Sequence, residues 1–155
     1  MYKAVALAAA LTASVACSSA WARDNNCRPV SNKEISSLFD RWNNSLQSGD
    51  PRKMVAANYA PKSKLKPDAA GKPLLTQESK EAYFRQFMEK KPVVKIEARD
   101  IAIDCNTAVD KGIYNVTFQD GSVTRENYAY AYEWNVKKMK WLITSHQSSA
   151  IMEKN

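Results

Sequence analysis

Histidine is all but missing from this chain, with His146 the single one in 155 residues. A site built on several imidazoles is therefore excluded, and three cysteines without a CxxC pair exclude a zinc ribbon. Glycine is also scarce, at four, and none falls in a phosphate-cradling loop. The chain has no His-Arg-Asp segment either, so neither nucleotide binding nor kinase chemistry is indicated. It shows no internal repeat, no low-complexity tract, and no cofactor or metal motif, and no cofactor is expected.

What the N-terminus does hold is MYKAVALAAALTASVACSSAWA, a lysine, an alanine-rich apolar run and then Ala20-Trp21-Ala22. This is the pattern of a secretory signal, with an apolar stretch too short to span a bilayer. The expectation is a cleaved signal over residues 1–22, a single mature domain over 23–155, and a periplasmic or secreted location. Ser14-Val15-Ala16-Cys17 is a competing, degenerate lipoprotein site that would acylate Cys17 and tether the protein to a membrane. Loss of the signal leaves Cys27 and Cys105, which in an oxidising compartment read as one disulfide. A closure this long contributes roughly 4.5 kcal/mol at most in the chain-entropy model. The formal charge is +7. Its lysines are scattered over edges and turns (Lys62, Lys64, Lys66, Lys137, Lys138, Lys140), so a solvated surface fits better than a nucleic-acid partner.

Periodicity supplies the elements. Ser31 and Glu34 form a capping box ahead of Ile35, Leu38, Phe39, Trp42 and Leu46, an apolar stripe at helical spacing that ends at Gly49. Asp50-Pro51 opens a short second helix, and Thr76 caps a third that carries Tyr83, Phe84, Phe87 and Met88. A short edge strand lies between them in the stretch from Ala60 to Lys72. After Pro92 the period changes to two, with strands expected over 93–105, 108–118, 123–134 and 141–149 and a hairpin turn at Asp120-Gly121. Three amphipathic helices ahead of an antiparallel meander make an α+β class with a strongly curved sheet wrapped around the helices.

Within that sheet the segment ENYAYAYEW sets Tyr128, Tyr130, Tyr132 and Trp134 on one face and Ala129, Ala131 and Glu133 on the other. A row of phenols packs in a core, forms a contact between subunits, or lines a cavity whose occupant satisfies the hydroxyls. With Phe39 and Trp42 from the first helix and Phe87 from the third, the row is a candidate wall for a flat apolar guest. His146 shares a strand face with Thr144 and Ser148. It reads either as a proton shuttle, with Tyr132 or Tyr130 as donor, or as a histidine hydrogen-bonded near the sheet end. Asp100, Asp104, Asp110 and Glu133 are the carboxylates available to the sheet, and no Asp/Tyr pair stands out among them.

The order of these features carries a resemblance. Trp42 in the first helix, then Ser48-Gly49-Asp50, Tyr59, an aromatic third helix, and the closing Trp141-Leu142-Ile143-Thr144-Ser145-His146-Gln147-Ser148-Ser149 resemble the association domain of calcium/calmodulin-dependent protein kinase II. The chain is more similar still to the exported bacterial stand-alone versions of that domain. These lie within the cone-shaped superfamily of nuclear transport factor two, ketosteroid isomerase and SnoaL-like cyclases. The resemblance implies a cystatin-like curved sheet over three helices, a cavity between them, and homodimerisation through the outer sheet face. The bacterial versions typically read His-His-Ser-Ser where this chain has His146-Gln147-Ser148-Ser149, so a mechanism needing both imidazoles is not implied. Tyr132 and Ser148 stand where the kinase domain has pocket arginines, so its anion-binding cluster is not implied either.

Together these readings point to a secreted, non-kinase, dimeric module that binds a small molecule or associates with protein through an aromatic-lined cavity. The alternatives are a cofactor-free isomerase, dehydratase or cyclase, and a purely structural oligomerisation module. The candidate ligand-binding residues are Phe39, Trp42, Phe87, Tyr128, Tyr130, Tyr132, His146 and Ser148, with His146 and Tyr132 the catalytic candidates.

Overall fold

The computed structural model describes residues 26–152; the expected signal segment, its cleavage site and Cys17 lie outside the described residues. The chain forms α1 (Asn32–Leu46), α2 (Pro51–Asn58), β1 (Tyr59–Lys66), α3 (Gln77–Glu89), β2 (Val93–Asp104), β3 (Thr107–Thr117), β4 (Val123–Asn135) and β5 (Lys140–Ala150). All five strands join one sheet in the order β1-β5-β4-β3-β2. Four pair as the expected antiparallel meander, whereas β1 pairs parallel to β5 after the chain has passed through both. That crossover puts β1 at the sheet edge, where its proline and spaced lysines are tolerated.

Local chemistry accounts for the helix starts. The Ser31 hydroxyl accepts from the Glu34 amide, Asp50 from Lys53, and Thr76 from Ser79, each satisfying a donor that the first turn leaves without a partner. The Glu34 carboxylate is engaged by Arg28 across 2.5 Å. Ile35, Leu38, Phe39, Trp42 and Leu46 are all buried, and each such side chain stabilises by about 1.5–3 kcal/mol. That stripe, rather than propensity, holds a helix otherwise rich in Asn and Ser.

The sheet departs from simple alternation at one decisive place. Register shifts between Ile96 and Ala98, so that Glu97 is an extra residue and the parity of the rest of β2 reverses. Arg99, Ile101 and Ile103 thereby face the helices. Opposite the bulge, a Cβ on Gly112 would sit 1.9 Å from the Ala98 carbonyl oxygen, so only glycine permits this close approach. At the far end, Cys27 and Cys105 form the expected disulfide, with Cα atoms 4.7 Å apart and 78 positions between them in sequence. Together with the Arg28 guanidinium, which sits 4.2 Å from the Trp134 ring centroid, it ties the segment before α1 to the sheet.

Candidate functional site

The tyrosine row lies on the inner wall, with Tyr128, Tyr130 and Tyr132 no more than 3% exposed. Cross-strand pairing sets Asp110 of β3 and His146 of β5 directly on either side of Tyr130. Above them, α1 contributes Phe39, 6.3 Å from both the Tyr128 and Tyr130 ring centroids, and Trp42, 5.7 Å from Tyr130 and 5.6 Å from His146. Six of the eight sequence candidates thus converge on one small volume. Ser148 pairs with Tyr128 at its edge and donates to the Pro67 carbonyl at 3.3 Å. Phe87 stands apart, only half-buried, packed on Tyr83, Phe84 and Phe118 rather than on the tyrosine wall.

Two polar clusters flank the row. At one end the Tyr128 hydroxyl donates to Asp110 Oδ1 at 2.8 Å, and Arg99 reaches the same carboxylate through Nε at 3.1 Å and Nη2 at 3.1 Å. Burial raises the Asp110 pKa, against the opposing pull of Tyr128 and Arg99. The guanidinium also lies 5.4 Å from the centroid of the Phe39 ring. At the other end the Trp42 indole donates to the Tyr59 hydroxyl at 3.1 Å, and that hydroxyl lies 2.7 Å from His146 Nδ1. Because indole can only donate, Tyr59 accepts from Trp42, which leaves its own proton free to be given to Nδ1. In the tautomer that accepts it, the imidazole proton sits on Nε2.

His146 is therefore a buried neutral imidazole. Desolvation without a countercharge pushes its pKa down to about 3, so it does not change charge near neutrality. It sits mid-strand in hydrogen-bond contact with Tyr59, not near the sheet end. Burial also drives the Tyr59, Tyr130 and Tyr132 phenols upward, keeping all three protonated as donors.

Between the two clusters the row is polar but unmatched. The Tyr130 and Tyr132 hydroxyls and His146 Nε2 are buried and have no hydrogen-bond partner among the described residues. Such groups are uncommon in native interiors and cost roughly 1–3 kcal/mol each when left so. Two surface recesses lie at the ends of the row, and neither is lined by Tyr130, Tyr132 or His146, so the expected open cavity is not formed against them in the resting fold. One of about 450 Å³ includes Asn32, Ser36 and Arg99 at the start of α1, and one of about 260 Å³ includes Lys66, Tyr128 and Ser148. Among the described residues no three His, Cys, Asp or Glu side chains group in a way that could hold a metal ion.

Sequence reasoning missed two members, Arg99 and the role of Asp110. Arg99 was hidden by the bulge, for which Gly112 in a strand interior was the available signal. Asp110 had the right parity, alongside Ala108, Tyr114 and Val116, and lacked only its partner. A cation therefore does enter this interior, from β2 rather than from the last two strands.

The model of the calcium/calmodulin dependent protein kinase II association domain matches residues 31–152. A solved protein from Xanthomonas campestris, described by that same domain name, is 36% identical, with a TM-score of 0.73 over 81% of this chain and 91% of that one. The chain belongs to the calcium/calmodulin dependent protein kinase II association domain family. More distant members of the fold include the kinase II hub of S. rosetta, at 17% identity and TM-score 0.65 over 80% of this chain and 100% of the hub. A cyanobacterial iota-carbonic anhydrase complexed with bicarbonate aligns at 18% identity and TM-score 0.71 over 81% of this chain and 94% of that one. Other neighbours, described as NTF2-like or cystatin-like, show the same α+β fold of helices packed on an open curved sheet. No curated protein matches. For an association-domain chain, the inner wall and the outer sheet face are the two surfaces to explain.

Proposed function

We propose that this chain is an exported, self-associating binding module whose interior takes a small ligand against the Tyr130–Tyr132 wall. The observation that carries the reading is the trio of buried groups with no partner, the Tyr130 and Tyr132 hydroxyls and His146 Nε2. The two phenols are donors, and so is Nε2 in the tautomer where Tyr59 donates to Nδ1, so the ligand they suit is a flat molecule with an apolar body and one or two acceptor atoms. Thermal-shift and native mass spectrometric screening of aromatic ketones and quinones should return a stabilising, stoichiometric ligand. Tyr132→Phe should weaken it by about tenfold, as expected for one buried hydrogen bond. Binding undiminished in the Tyr130→Phe/Tyr132→Phe double variant would reject the site.

Self-association is proposed through the outer sheet face, where Ala102, Val109, Ala131 and Ser145 line up across four strands. Small side chains let another sheet approach closely, and the pairs Lys111–Asp100 and Arg125–Glu97 sit beside them. Light scattering should report a dimer that Ala131→Arg converts to monomer. Export is supported by the N-terminal pattern of lysine, apolar run and Ala20-Trp21-Ala22. A mature mass beginning at Arg23 after expression in a bacterial host is the check; a full-length species would exclude export, and one acylated at Cys17 would assign processing to the lipoprotein site instead.

A catalytic reading is favoured by one observation, the contact between the Asp110 carboxylate and the Tyr128 phenol. A buried carboxylate beside a hydrogen-bond donor is what proton abstraction next to a carbonyl requires. Fold neighbours described as a dehydratase and as a carbonic anhydrase make dehydration and hydration the assays to run first. Turnover abolished by Asp110→Asn, with the fold intact, would establish it.

A further inference from the structure

Outside the tyrosine wall, one charged side chain is buried without a matching charge. Lys80 lies in the first turn of α3 and is 1% exposed, yet its ammonium makes one hydrogen bond, to the Leu75 carbonyl at 3.0 Å, and no ion pair among the described residues. An ammonium has three donors, so most of its capacity is unused. A cation in the first turn is also disfavoured by the helix dipole, which prefers negative charge there. Desolvation lowers the Lys80 pKa in keeping with that strain.

The surroundings repeat the same sign. Lys80 lines a recess of about 70 Å³ between α2, β1 and α3, together with Val55, Ala56, Tyr59, Gln77 and Lys138. Both charged members of this lining are lysines. Lys140, whose ammonium is 3.4 Å from the Ala57 carbonyl, has its pKa lowered by burial and then by Arg41 and Lys138. Of the acids on α3, Glu78 in the same first turn acts on Lys80 through its charge without forming an ion pair, and Glu81 is already held by Gln77 at 2.8 Å and faces Arg52 at 4.0 Å. A water needs about 10–15 Å³ of such space, so the recess suits a guest of a few heavy atoms.

We propose that this recess is a binding site for a small carboxylate or similar oxyanion, held by Lys80 from within and Lys138 at its mouth. The anion would use the donors that Leu75 leaves free and would supply the directly paired negative charge that the buried ammonium lacks, Glu78 acting on it only at a distance. The recess touches the flank of the tyrosine wall at Tyr59, but its two lysines lie outside the wall and the proposal does not depend on how that wall is read.

The test uses sodium formate as probe, with sodium chloride at equal ionic strength as control, on isotope-labelled mature protein. Formate should produce saturating NMR shifts at the Ala56 methyl and the Gln77 side-chain amide that chloride does not. Lys80→Met, which keeps the stem and deletes the charge, should weaken formate by about tenfold or more. Lys138→Ala, at an exposed position that folding does not depend on, should weaken it severalfold and decides the matter alone if Lys80→Met fails to fold. Lys33→Met, at an exposed position in the first turn of α1, should leave these shifts unchanged. Shifts that follow ionic strength equally for both salts, or that survive the lysine variant tested, would overturn the proposal.

Discussion

Asp110 and His146 occupy equivalent places on either side of Tyr130, one strand away in each direction, and both are buried. The fold treats them in opposite ways. Asp110 has a guanidinium and a phenol aimed at its carboxylate, and both favour the charged form against the burial that raises its pKa. His146 is given one neutral partner, Tyr59, and no charge, so it stays uncharged. Side-chain type does not decide whether an interior group is ionised; the charges within about 4–6 Å do. Tyr130, midway between them, has a ring 4.2 Å from the imidazole and a hydroxyl that neither flank satisfies.

The largest test of this contrast is acid. Native His146 has its pKa near 3, whereas the unfolded chain takes a proton near pH 6.5. The contribution of the neutral histidine is fully present above about pH 6.5. Below it the unfolded state binds the extra proton, and stability falls by about 1.4 kcal/mol per unit toward pH 3, on the order of 5 kcal/mol in all. Asp110 acts in the other sense at the acid end, because its raised native pKa lets the folded state take a proton first. Urea midpoints across pH 7.5 to 4.5 should therefore show a slope that His146→Gln flattens. Equal slopes in the two proteins would mean the imidazole is not held neutral by burial.

Removing the charge on the opposite flank comes next. Arg99→Met leaves the Asp110 carboxylate buried with only Tyr128, and breaking such a pair costs about 3–5 kcal/mol. The loss should shrink as pH falls and the isolated carboxylate protonates. Denaturant unfolding at pH 7 and pH 5 reads both effects, and a pH-independent loss under 1 kcal/mol would show that Arg99 lies mainly in solvent. Tyr59→Phe is the neutral counterpart. It deprives the Trp42 indole and His146 Nδ1 of their shared hydroxyl, at roughly 1–3 kcal/mol for each buried group left without a partner. Histidine ring nitrogen shifts should change in the same variant, reporting a new tautomer balance.

These two flanks also differ in how far the sequence discloses them. The α1 stripe, the capping residues and the β4 alternation follow from local spacing, because each depends on neighbours within a turn or a pleat, and the disulfide follows from cysteine count, since loss of the signal leaves only Cys27 and Cys105. That is enough to bring Trp42, Tyr130 and His146 into one interior. The Asp110 flank depends on the bulge at Glu97, a property of two strands together, and one extra residue there changes which of Ala98 and Arg99 points inward. The parallel pairing of β1 with β5 is likewise invisible to spacing, since nothing in an eight-residue edge strand specifies the direction of its partner. Phe87 shows the converse error, an aromatic at the right helical period whose face turns toward Phe118 rather than toward the wall.

The smallest expected effect falls on the residue between the flanks, and its sign is what makes it useful. If the Tyr130 hydroxyl had a partner within the fold, Tyr130→Phe would destabilise by about 1 kcal/mol, the ordinary worth of a hydrogen bond. Since no protein group answers it, deletion removes a buried polar atom that the fold must otherwise desolvate for nothing. Ligand-free Tyr130→Phe should therefore be as stable as the wild type or more stable by up to about 1 kcal/mol, while Tyr128→Phe, which loses a real bond to Asp110, moves the other way. Thermal and urea unfolding of the two variants side by side measures the difference directly. A Tyr130→Phe protein destabilised as much as Tyr128→Phe would mean that the central hydroxyl is satisfied in the resting fold, and that the wall is core rather than a binding surface.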